Sequence, residues 1–146
     1  GISGLGNEAV DLTDATDANA ELVSAINDFT TGLIKLPTVT FDNVATTFSL
    51  SDLGDLNGIT GLVNINADNG QNDTISISLK DLLAANDSKD DFTFNLDLNA
   101  GDAVDIANDV SGWTKAQTTL NKEYTYTNDK TGQVVTIVAD EAVITA

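Results

Sequence analysis

The apolar positions of this chain change period once, at its only proline. Before Pro37, Leu22, Val23, Ile26, Phe29, Leu33 and Ile34 recur near i, i+3, i+4 and i+7. That spacing predicts an amphipathic helix from about Asp17 to Lys35. Thr16 or Asp17 is positioned to cap it, and Glu21 sits in its first turns. Thr30, Thr31 and Gly32 weaken its end, and Pro37 closes the segment.

After Pro37 the period is two. Strand-like runs occur at residues 38–41, 47–50, 62–66, 74–79, 92–98 and 103–106. Three more, at 123–127, 134–138 and 142–144, end the chain. Asn, Asp and Gly clusters separate them, and Asn128-Asp129-Lys130-Thr131-Gly132 is a hairpin signal. The pattern divides the chain into an N-terminal helical segment (1–37) and a β-rich body (38–146). Two weak repeats mark the body. Phe48–Leu53 matches Ile77–Leu82, 29 positions on, and Val63–Asn66 resembles Phe94–Asp97, 31 positions on. A period near 30 fits stacked coils. The expected fold is therefore mainly β and β-solenoid-like, or alternatively a β-sandwich, with one N-terminal α-helix.

Composition narrows the chemistry. Nineteen aspartates face four glutamates, six lysines and no arginine, for a net charge of −17 in 146 residues. Aspartate favours turns and caps over helix interiors, so the bias places carboxylates between strands. Self-repulsion at this charge disfavours the compact state unless counter-ions neutralise it, and it makes nucleic acid an unfavourable partner. No stretch approaches the ~20 apolar residues of a membrane span. The chain begins Gly1-Ile2-Ser3-Gly4 without an initiator methionine and reads as an excised, processed or tagged segment.

Histidine, cysteine and methionine are absent. Ser-His-Asp and Cys-His catalysis are thereby excluded. A glycosidase needs only paired carboxylates, but its groove is usually aromatic-lined, and this chain has one Trp and two Tyr. An enzyme is not expected. Hard oxygen ligands abound instead, which points to Ca²⁺. The candidate ligand groups are Asp11/Asp14/Asp17, Asp68/Asn69/Asp73, Asp87/Asp90/Asp91 and Asp102/Asp105. None forms an EF-hand pattern. Trp113, with Tyr124 and Tyr126 on a later strand, offers an aromatic surface whose ordinary role is packing.

Several elements share their order with a known group. Phe48 to Asn86 carries Leu50-Ser-Asp52-Leu53, Ile59-Thr-Gly61-Leu62, Asp73-Thr74-Ile75 and Leu79-Lys-Asp81-Leu82-Leu83. Gly101-Asp102-Ala-Val104, Gly112-Trp113 and Tyr124-Thr-Tyr126 follow. Over residues 38–146 this resembles a module of very large type-1-secreted bacterial proteins, the RTX-type adhesins and surface-layer proteins. The Ca²⁺-binding nonapeptide of that family is echoed only in degenerate form, at Asn69–Ile75. The resemblance implies an extracellular module on the bacterial cell surface. It would be structural, Ca²⁺-stabilised, and assemble with copies of itself or neighbouring modules. The alternative is an adhesin domain recognising glycan or peptide near Trp113.

Overall fold

The inward-facing sheet positions recur in register from strand to strand and are filled by apolar side chains. A computed structural model describes residues 9–13, 19–30 and 32–146, and within α1 the side chains of Ala20 and Phe29 are not described. In order, the elements are β1 (Val10–Asp11), α1 (Ala20–Phe29), β2 (Ile34–Lys35), β3 (Thr38–Thr40), β4 (Thr47–Ser49), β5 (Ile59–Thr60), β6 (Asn64–Asn66) and β7 (Thr74–Ser78). Then come α2 (Leu79–Asn86), β8 (Phe92–Asp97), β9 (Ala103–Ala107), β10 (Trp113–Thr119), β11 (Glu123–Asn128), β12 (Val134–Ala139) and β13 (Ile144–Thr145). Short 3₁₀ turns occupy Leu50–Leu53 and Leu56–Gly58. The protein is mainly β, with 41% strand and 18% helix.

The strands form three open sheets, ordered β1-β2-β5, β10-β11-β12-β8-β6-β3 and β13-β9-β7-β4. Every pairing is parallel except β10 with β11 and β11 with β12. Register aligns Val39, Ile65, Leu96 and Ala139 across one sheet, and Phe48, Ile75, Val104 and Ile144 across another. All eight are at most 2% exposed. Burying a large aliphatic or aromatic side chain is worth ~1.5–3 kcal/mol, so these two files form the spine of the core. Phe41 and Phe48 meet edge-to-face, ring centres 5.1 Å apart, at one end of it.

The helix predicted over Asp17–Lys35 is shorter, and its cap is Asn19. The Asn19 side chain accepts from the backbone N–H of Leu22. Thr16 and Asp17 lie outside the described residues. At the other end Thr30 is already extended, at φ −127° and ψ 143°. Its β-branched side chain loses rotamer freedom in a helix. Ile34 consequently belongs to β2, opposite Ile59, and Leu33 is exposed. Val23 and Ile26 carry the buried stripe.

The expectation of one helix also needs correction, because α2 is a second. Ser78 caps it by accepting from the Asp81 N–H, and Leu-Lys-Asp-Leu-Leu-Ala-Ala is rich in helix formers. Leu79, Leu82 and Ala85 are buried, and Asp87 ends the helix in the left-handed region. Strand β10 was not expected either. Six of its seven residues are exposed, so it lacks the alternation that marks a half-buried strand.

Candidate functional site

The aspartates between the strands mostly hold backbone rather than each other. Asp73 lies just before β7 and is buried. Its Oδ1 accepts from the Thr46 N–H at 2.7 Å, one strand over. Asp102 occupies the same place before β9, where its Oδ1 accepts from the Asp73 N–H and its Oδ2 from the Asn99 N–H, both at 2.8 Å. Thr46, Asp73 and Asp102 thus form a file in which each carboxylate ties its own turn to the previous one. Parallel strands reached after long crossings leave such turn amides without ladder partners, and a short acceptor side chain is what can reach them.

The motif recurs elsewhere. Asp140 Oδ1 accepts from the Leu98 N–H at 2.8 Å. Asp91 Oδ1 takes the Val134 N–H at 2.7 Å. Asp109 takes the Lys80 N–H at 3.0 Å and the Ser78 hydroxyl. An asparagine file runs beside the first: Asn69 Nδ2 donates to Asp42 O, and Asn99 Nδ2 donates to Ala67 O and Gln71 O.

The expected ligand groups come apart on this geometry. In Asp68/Asn69/Asp73, Asp68 is exposed, Asn69 is committed to backbone, and Asp73 is buried. Asp102 has both oxygens engaged, while Asp105 lies on the outward face of β9. In Asp87/Asp90/Asp91, Asp87 ends α2 and Asp91 holds Val134. The Asp90 carbonyl accepts from Gln133 Nε2. Asp11 accepts from Thr13 and stands 4.0 Å from Lys35 Nζ, whereas Asp14 and Asp17 fall outside the described residues. Ca²⁺ takes six to eight converging oxygens. Among the described residues no group of three or more acidic side chains is placed to hold a metal ion.

The electrostatic strain sits on Asp73, one of the expected ligands, and on Asp97, which with its neighbour Asp140 is not among them. β12 and β8 run in register through Ala139 and Leu96, which puts Asp140 beside Asp97 at their ends. A hydrogen bond that protonated Asp97 donates to the Asp140 carboxylate raises the Asp97 carboxyl above the ordinary aspartate value. Partial burial and the charges of Asp140 and Asp68 add to that rise. Asp73 is also raised: burial is the main cause, opposed by the Thr46 amide and the Asn69 side chain. Its Oδ2 is buried without a hydrogen-bond partner. Asp109 moves the other way, because its bonds to Ser78 and Lys80 outweigh the effect of burial. The signal for Asp97 was available, since it ends the second copy of the 31-residue repeat.

No family model, no curated protein and no solved structure matches this chain.

Proposed function

We propose that this chain is a structural module of a secreted bacterial surface protein, a surface layer or an adhesin, built as stacked β-solenoid coils. The file Thr46–Asp73–Asp102 carries this reading. Carboxylates that join one pass of the chain to the next by accepting backbone N–H groups suit staples of a scaffold. The parallel registers at offsets of 31 residues for β6 and β8 and 29 for β7 and β9 support this reading, since solenoid repeats are of that length. The surface-protein part of the reading rests on the sequence resemblance.

In this reading Ca²⁺ acts as counter-charge to the net −17 and to the Asp97–Asp140 pair, and Ca²⁺-screened modules then assemble with copies or neighbours. The test is thermal unfolding and light scattering in Ca²⁺ against EDTA at fixed ionic strength. The reading expects a higher Tm and a larger assembly with Ca²⁺. Identical Tm and mass in the two conditions would remove the cation from it.

A second reading, an adhesin domain that binds glycan or peptide, is favoured by one hollow. Trp113, Leu83, Lys89, Asn128 and Thr131 line it. Gln133 Nε2 fixes its rim by donating to Ser88 O and Asp90 O. Trp113 is the chain's single tryptophan, so its fluorescence reports directly on sugar or peptide entering there.

A further inference from the structure

We propose that the β10–β11 hairpin is a terminal cap, which closes the last pass of the strand stack against end-on pairing with another copy. The proposal rests on the stacked-coil reading above. Three crossings lead from the four-stranded to the six-stranded sheet. Between β4 and β6 there are 14 residues, between β7 and β8 there are 13, and between β9 and β12 there are 26. The first crossing contains 3₁₀ turns and β5, the second α2. The third contains the hairpin, at the point where the sheet changes from parallel to antiparallel.

The hairpin covers both strands of the last pass. Along β12 it supplies a full antiparallel ladder, from Thr127 opposite Val134 to Glu123 opposite Val138, and Lys122 O accepts from the Ala139 N–H at 2.9 Å. The next residue reaches the other sheet. β13 turns one edge to β9, where Val143 O accepts from the Val104 N–H, so the Ile144 N–H points outward. Asn121 O accepts that N–H at 2.9 Å. Asn121 is in the left-handed region, φ 54°, a conformation asparagine tolerates better than most residues. The bend there turns its carbonyl toward β13.

The side chains agree. Tyr124 and Tyr126 stand opposite Ile137 and Val135 and are 4% and 0% exposed. They lay aromatic surface over the end of the apolar core. The outermost strand, β10, is protected as solitary edges are: Lys115 stands at its middle and an irregularity interrupts its register between Gln117 and Thr119. At the opposite end, α1 packs Val23 and Ile26 onto the first pass. An uncapped stack would present β12, an unpaired Ile144 amide and bare core to any second copy. With the hairpin in place, the last pass offers a second copy no bare core at that end.

The test compares the full chain with a variant in which residues 112–128 are replaced by a three-residue Gly-Asn-Gly turn. That brings the third crossing to about the length of the other two. Light scattering over a dilution series is expected to show the variant folded, with a mass rising with concentration above that of the parent. A folded variant with the parent's mass at every concentration would overturn the cap. Amide exchange on the unaltered chain decides the matter if the variant does not fold. The Ile144 amide is expected to exchange about 10-fold or more slowly than the free-edge amides of β10. Exchange at the free-edge rate overturns the cap. Exposed exchange throughout β7 and β9 would instead overturn the stacked-coil reading on which it rests.

Discussion

The Asp102 carboxylate accepts the backbone N–H of Asp73 at 2.8 Å, and Asp73 passes the same bond to Thr46. Three turns, 27 and 29 residues apart, are therefore locked in sequence by two side chains. Aspartate suits this place because its carboxylate is close to its own backbone, and a charged acceptor roughly doubles the strength of the bond. Much of the aspartate bias of this acidic chain thus reflects satisfaction of turn amides.

Removing one staple exposes its worth. Asp102→Ala leaves the amides of Asp73 and Asn99 without acceptors in a buried turn, and each orphaned group costs ~1–3 kcal/mol. The expected loss is about 2–4 kcal/mol by denaturant unfolding. Asp102→Asn keeps one acceptor oxygen and is expected to lose roughly half as much. An alanine variant as stable as the parent would show the bonds to be incidental.

The Asp97–Asp140 pair makes a prediction of opposite sign. The folded protein holds the Asp97 proton more tightly than the unfolded chain, whose aspartate titrates near 3.8. The pair therefore favours folding fully below that value, and the contribution is lost as pH rises through the raised folded value. Asp97→Asn removes the repulsion between neighbouring strands. It is expected to gain up to about 1 kcal/mol at neutral pH and nothing below pH 3.8. Unfolding curves across that range check the difference. A gain independent of pH would place its origin elsewhere.

Asn27 brings helix α1 close to the backbone around Gly54. Asn27 Nδ2 donates to Leu53 O at 3.3 Å and Asp55 O at 2.9 Å, straddling Gly54. Gly54 has φ 94° and ψ −140°, and a Cβ there would lie 2.9 Å from that same nitrogen. Gly54→Ala is expected to cost about 1–3 kcal/mol through backbone strain alone. In an Asn27→Ala background the cost should fall, because the steric part vanishes. A double-mutant cycle measures the coupling. Strict additivity would mean that the approach carries no strain.

The parts of the fold that repeat with little change were legible in the sequence. Val63–Asn66 and Phe94–Asp97 share alternation, and their 31-residue offset is the register in which β6 and β8 pair. Phe48–Leu53 and Ile77–Leu82 align at 29, yet Phe48 pairs with Ile75. The repeat aligns the starts of two helical turns, and β7 is two residues longer than β4. Residue type flagged aspartate as the residue that matters. Which amide each carboxylate takes was hidden, because the donor lies on another pass of the chain. Asp97 and Asp140 meet only across the 26-residue crossing that holds the hairpin, a partnership no local pattern records.

Tyr126 tests the hairpin's fit over the core. Its ring is fully buried, and its hydroxyl has no hydrogen-bond partner. Burial, with Tyr124 and Asp105 adding to it, pushes the phenol up to about 12. An unpaired buried hydroxyl costs ~1–3 kcal/mol, whereas the ring itself contributes apolar area. Tyr126→Phe keeps the ring and deletes the cost, so it is expected to stabilise the protein by about 1 kcal/mol. Tyr126→Ala empties the place and is expected to lose about 3–5 kcal/mol, the range for large-to-small aromatic changes. Tyr124 is the control: its hydroxyl accepts from Gln117 Nε2 at 2.9 Å, so Tyr124→Phe removes a bond and is expected to destabilise by about 1 kcal/mol. Denaturant unfolding of the two Phe variants should give shifts of opposite sign. Equal shifts would mean that the Tyr126 hydroxyl has found a partner in solution.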